Sequence, residues 1–219
     1  MTMDSRDQSP ETVRIKLPKL AARFVFGPAY AAFARAHPDV RVELIIDDAI
    51  ADLESGGLDA GIRNGEFMQP GIVPVPVTRQ MPSIIVGSPA YFEGRERPTE
   101  PRQLRDHACI AFRWAETGAP YPWPLTKGKQ TLEHRPVGPL IVNDFDMMLD
   151  AALDGAGLIW TLREHANAHI DAGRLVPVLE DWCQTLPPFY LYYSKNRGLS
   201  VGLRKLIEFL SKRVDGSNR

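Results

Sequence analysis

With 219 residues, 44% of them hydrophobic and 24% charged, the chain has material for one domain or two lobes of about 100 residues each, which excludes a disordered protein. A formal net charge of −1 gives it no electrostatic reason to grip a polyphosphate, since non-specific nucleic-acid binding needs several Lys or Arg on one face. Cys109 and Cys183 match no zinc or redox spacing, MTMDSRDQSPET has no signal-like apolar core, and no window approaches the ~20 apolar residues of a membrane span, so a soluble cytoplasmic protein with reduced thiols is expected.

In chain order, TVRIKL (12–17) alternates branched apolar and basic residues as a strand does. Pro18 then opens a helical pattern, LAARFVFGPAYAAFARAH, in which Gly27-Pro28 should kink the helix or start a second one. DVRVELIID (39–47) reads as a strand, AIADLESG as a short helix ended by Gly56-Gly57, and LDAGIR (58–63) as a further strand. That alternation favours a parallel α/β lobe. IVPVPVTRQ and PSIIVGS are β-rich, and Pro74 and Pro76 mark the first as an edge or irregular strand.

From about residue 88 the elements shorten: SPAYF, a loop leading into a brief helix (EGRERPTEPRQLRDH), a buried strand ACIAF, and two strands around the turn Lys127-Gly128-Lys129. GPLIV is an apolar run, Asn143-Asp144 follows, and an apolar helix then closes on glycine before a strand ending at Trp160-Thr161. NAHIDAG, RLVPVL, a late strand FYLYYS and an amphipathic helix VGLRKLIEFLSKR complete the chain. There is no internal repeat, and a disordered tail of ~10 residues is expected at each end.

The runs VRIKLP, PAYAAFARAHPDVRVELIIDD, DLESGGLDAGIRNGE, VGSPAYF, PRQLRDHACIAFR, NDFDMMLDAALDGAGLIW, AGRLVPVLEDW and LYYSKNRGLSVGLRKLIEFL occur in that order. Together they resemble the effector-binding domain of LysR-type transcriptional regulators over residues 12–212. The resemblance implies an α/β fold of the periplasmic-binding-protein type 2 kind, two Rossmann-like lobes joined by two crossover strands, IIVG and FYLYY. Lobe I would be 12–85 plus 190–219 and lobe II 86–189, with 1–11 a disordered tail or the last turns of a linker helix. It implies a small-molecule effector in the inter-lobe cleft, a carboxylate among the candidates, with no cofactor. It also implies a homodimer, with residues 20–36 as the candidate surface, and a tetramer at full length. DNA would be met only through a winged helix-turn-helix outside these 219 residues, because that motif lays a recognition helix in the major groove.

In an open α/β lobe ligands lie beyond the carboxyl ends of the strands. That rule selects Pro18 and Lys19 after the first strand, at a helix start suited to an anion, or with Lys19 simply solvated. It selects Arg63 and Asn64 after the third strand: the Arg63 fork matches two carboxylate oxygens, or is held in an ion pair by Glu66 or Asp47. Phe112, Arg113 and Trp114 form an aromatic-basic loop that either walls the site or packs on Tyr121 and Trp123. Asn143 and Asp144 precede a helix, so one of them caps it; the resemblance turns this step towards the cleft, with Asn143 the better contact. Trp160 and Thr161 should face the same cleft, a core Trp being the plainer alternative.

Other constellations are weaker. His165 and His169 are spaced for one metal, but Ala166 stands where the zinc-protease pattern needs Glu. His107 and Cys109 lack a third partner for nucleophilic chemistry, and Asp146 and Asp150 are explained by the helix dipole. Nothing demands an enzyme. A transporter's solute-binding protein and a small α/β enzyme remain as rival readings.

Overall fold

The computed structural model describes residues 10–53, 57–65, 71–115 and 117–216. In chain order these form β1 (Glu11–Leu17), α1 (Lys19–Ala21), α2 (Tyr30–Ala36), β2 (Val40–Ile46), β3 (Ala60–Asn64), β4 (Ile72–Pro76) and β5 (Met81–Gly87). Then come β6 (Ala111–Phe112), β7 (Trp123–Lys127), β8 (Gln130–His134), β9 (Ile141–Val142), α3 (Phe145–Leu153), β10 (Ile159–Leu162) and α4 (Arg163–Asp171). The last are β11 (Val176–Val178), β12 (Thr185–Leu186), β13 (Phe189–Ser194) and α5 (Val201–Gly216). The chain divides into two compact units, Met1–Arg79 with Pro187–Arg219, and Gln80–Leu186. The divisions between these units lie at 79/80 and 186/187. The run IIVG lies wholly inside the second unit, because β12 pairs with the very start of β5.

The first unit holds a five-stranded sheet in the order β2-β1-β3-β13-β4. β1 runs parallel to β2 and β3, while β13 is antiparallel to both β3 and β4. Alternation along β1 sends Val13, Ile15 and Leu17 into the core, as a period of two requires. The proline-bearing β4 is the edge strand, where a missing amide donor leaves no ladder bond unmade. α5 packs against β1 with Leu203, Leu206 and Leu210 buried, and its Gly202 N–H donates to Glu11 Oε2 at 2.8 Å.

The helix after Pro18 breaks as Gly27-Pro28 predicts. α1 passes into a π-helical stretch, Ala22–Phe26, in which the Gly27 N–H reaches Ala22 O at 3.0 Å, and α2 starts afresh at Tyr30. A Cβ at Gly27 would lie 2.5 Å from Arg23 O, so only glycine fits. The expected helix AIADLESG is corrected: residues 49–53 are not helical, and 54–56 lie outside the described residues. The Ala49 N–H is taken at 2.8 Å by the Asp47 carboxylate, a local bond that competes with a helical one. Of the N-terminal 1–11, residues 1–9 lie outside the described residues and Glu11 already belongs to β1.

In the second unit β5 is central, with Ile84, Ile85 and Val86 fully buried and β10 and β11 antiparallel on either side. One core gathers Ile84, Val86, Ile110, Phe112, Met148, Leu149, Ile159 and Ala166. ACIAF is a strand only over its last two residues; Cys109 bridges Leu158 in isolation. β7 and β8 form the expected hairpin, with Gly128 at φ +61 supplying the left-handed turn. No helix among the described residues is long and apolar enough to cross a membrane.

Candidate functional site

In the first unit the carboxyl ends of parallel β1, β2 and β3 lie along one edge, since Asp47 N–H donates to Leu17 O at 3.0 Å. That edge carries Pro18 and Lys19, then Asp47 and Asp48, then Arg63 and Asn64. Pro18 (φ −64, ψ 154) precedes only three residues of α-helix before the π-helical turn, and Lys19 is half-buried. Arg63 is 3% exposed, and its Nη2 donates to Asp48 O at 3.0 Å. Of its two expected acidic partners, Glu66 lies outside the described residues. Asp47 is bonded by Lys16 Nζ at 2.8 Å, and that bond, ahead of the Ala49 amide and the more distant Arg63 charge, holds its carboxyl below the usual range. Asn64 Nδ2 donates to Pro187 O at 3.1 Å.

In the second unit β6 and β9 are parallel, and Arg113 N–H donates to Val142 O at 2.7 Å. Their carboxyl ends therefore deliver Arg113 and Asn143, both exposed, to one edge. Arg113 Nη1 donates to Gly118 O, folding the loop back on itself. Asp144 is the N-cap of α3, accepting from Met147 N–H at 2.9 Å. The cap is thus Asp144, which leaves Asn143 outside the helix on the exposed edge.

Rings adjoin this edge in series. Phe145, first residue of α3, stacks on Phe112 at 4.1 Å; Phe112 meets Trp114 at 6.1 Å, Trp114 meets Tyr121 at 5.4 Å, and Tyr121 meets Trp160 at 5.5 Å. Tyr121 N–H donates to Phe112 O at 2.7 Å, so the backbone itself holds the series in place. Phe112 is a buried core residue. The expected packing of Trp114 on Tyr121 is present, while Trp123 meets the His134 ring at 5.4 Å.

Trp160 and Thr161 are neighbours on a strand, so they face opposite sides of it. Thr161 is 1% exposed, with its hydroxyl 3.1 Å from His165 Nδ1, while His165 Nε2 lies 2.9 Å from Asp146 Oδ1. A carboxylate only accepts, so in the neutral imidazole Nε2–H donates to Asp146 and Nδ1 accepts from Thr161. Thr161 is thus buried and occupied by His165 rather than open to a ligand on Trp160's side. Sequence reasoning missed this Thr161–His165–Asp146 relay; the i, i+4 spacing of Thr161 and His165 was its one visible signal. Both ring nitrogens of His165 lie within the relay.

Cys109 is fully buried, its thiol faces Leu104 O at 3.6 Å, and burial pushes its pKa up to about 12, which disfavours the thiolate. His107 Nδ1 lies 3.1 Å from the Tyr91 hydroxyl instead.

A mixed α/β chain of two units crossed twice, with polar residues at parallel strand ends, defines the class as a periplasmic-binding-protein type 2 fold. Solved structures agree: the Vibrio cholerae virulence activator AphB (TM-score 0.80, 21% identity, covering 93% of this chain and 69% of that one) and the CrgA regulatory domain of Neisseria meningitidis (TM-score 0.80, 19%, 94% and 99%). Residues 6–215 match the LysR substrate binding domain model, and the chain belongs to that family. It is 33% identical over 199 residues to the uncharacterised HTH-type transcriptional regulator YcaN of Escherichia coli, covering 91% of this chain and 65% of that protein. It is 34% identical over 205 residues to a putative transcriptional regulator of Pseudomonas aeruginosa, covering 94% and 67%. The chain thus spans about two thirds of the length of these curated relatives.

Proposed function

We propose that this effector-binding domain senses a small molecule in the cytoplasm and transmits the event, through association with further copies, to a DNA-binding segment of a transcriptional regulator. The observation that carries the proposal is the edge of the second unit, where two parallel strands end together and present exposed Arg113 and Asn143 beside half-buried rings. Such an edge is where α/β sheets receive ligands. Pro18, Lys19, Arg63 and Asn64 in the first unit are proposed as further contacts, Arg63 and Lys19 favouring an anionic group. Trp160 and Asn143 lead the second unit's set with Phe112, Arg113 and Asp144; Thr161 acts only by anchoring His165. Switching requires only that the effector favour one arrangement of the regulator, with 1 to 3 kcal/mol a typical coupling.

The test is a thermal-shift screen of small organic acids on the 219-residue chain. A ligand at 100 times its Kd should stabilise by about 2.7 kcal/mol. The stabilisation should be lost in Asn143→Ala, whose side chain is exposed, and kept in Tyr30→Ala on α2. A hit indifferent to Asn143→Ala would move the site elsewhere. A turnover carried by the chain would revive the enzyme alternative.

A further inference from the structure

We infer that the effector of the second unit is a planar aromatic molecule bearing a hydrogen-bond acceptor, received by Trp160 and the rings beside it. The inference rests on the sensing role proposed above and names the chemical class for it. Trp160 is 6% exposed, and its Nε1 is enclosed with no hydrogen-bond partner among the described residues. An indole nitrogen is a donor only, so what completes it must be an acceptor. Buried donors are nearly always paired in folded proteins, and one with no partner among the described residues points to a group beyond them. A Phe at this position would keep an aromatic face with no donor to strand.

The neighbours define the shape of that group. Trp160 and Tyr121 are 5.5 Å apart and tilted by 36°, and Tyr121 and Trp114 repeat that tilt at 5.4 Å. Tyr121, Trp114 and Phe145 are each half-buried, so the core does not cover them fully, and they stand at the strand edge that carries Arg113 and Asn143. Flat faces in series favour a flat partner, because offset or edge-on ring contacts add to simple burial. Thr161 and His165 do not compete for the ligand, their polar atoms being joined to each other and to Asp146. Two features bear on the charge of the acceptor: Arg113 favours a carboxylate, whereas Asp144 at the N-cap of α3 and Asp146 in its first turn favour a neutral carbonyl.

Four probes separate these features. Benzoate and benzamide share a flat ring and an acceptor and differ in charge; cyclohexanecarboxylate keeps the acceptor and loses the flat ring; succinate has no ring. Calorimetric titration of the whole chain should show benzoate or benzamide binding, with cyclohexanecarboxylate clearly weaker. Trp160→Phe should weaken the aromatic probe by roughly fivefold, the usual worth of one net hydrogen bond, while the unliganded variant melts no lower than wild type. Should that variant melt lower, Tyr121→Leu serves as the second test, removing a half-buried face; it too should weaken the aromatic probes.

No binding of either aromatic probe, equal binding of the saturated ring, or full affinity in Trp160→Phe would overturn the inference; the last would mean that water completes the indole. If only succinate or cyclohexanecarboxylate binds, and does so through Asn143, the sensing role stands and the aromatic class falls. If no acid in the wider screen binds, the sensing role itself falls.

Discussion

At the scale of single residues, the thiols carry a sharp expectation. Burial raises Cys109 to about 12 and Cys183 to about 11 from the usual 9.0. A group whose folded pKa is raised leaves stability intact below the unfolded value and loses it as pH climbs towards the folded one. The melting temperature should therefore fall as pH rises from about 9 towards 12, and Cys109→Ala should flatten part of that slope; an unchanged slope would show that other groups govern it. At neutral pH both thiols should react slowly with Ellman's reagent until the chain is unfolded. Asp144 belongs to the same scale. Its carboxylate satisfies the Met147 amide, so Asp144→Ala should cost about 1 kcal/mol in urea denaturation, and Asp144→Asn much less. That Asn143 or Asp144 caps α3 could be read from the sequence because the cap reaches only from residue 144 to residue 147. The engagement of Thr161 with His165 and Asp146 could not, because it needs β10, α4 and α3 brought together.

At the scale of elements, periodicity recovered those with a strong local signal. β1, β3, the β7–β8 hairpin, α3 and α5 stand where alternation, turn residues or helical spacing put them. Gly155 illustrates the cause: at φ +82 it ends α3 in a conformation that other residues adopt at a cost. Gly155→Ala should destabilise by about 1 to 2 kcal/mol, checked by denaturant titration. The mistaken helix at 49–53 had the right composition and the wrong competitor. Asp47 offers its side chain to the Ala49 amide, and a helix so short has too few internal bonds to resist.

At the scale of the whole molecule, the second unit is one unbroken run, Gln80–Leu186, with its own core, whereas the first is assembled from both ends of the chain. Residues 80–186 expressed alone should fold cooperatively, seen as a single thermal transition with dispersed amide resonances. A molten product would show that the core needs the remainder of the chain. In the first unit, Val77 N–H donates to Phe189 O at 2.8 Å and Phe189 N–H to Thr78 Oγ1 at 2.9 Å, so a short loop should close it in place of the excised segment.

The sequence by itself determined the family, the α/β class and most strands and helices, because these depend on residue pattern and on near-neighbour chemistry that survive without coordinates. Tertiary structure alone decided where the chain crosses between units and that Arg63 is buried against Asp48 O. It alone also decided that the Trp160 indole nitrogen has no hydrogen-bond partner among the described residues while the Thr161 hydroxyl meets His165. Each of these turns on which partner a group meets across a long stretch of chain, and burial makes the answer matter: a polar group removed from water must find its bond inside the fold or in a ligand.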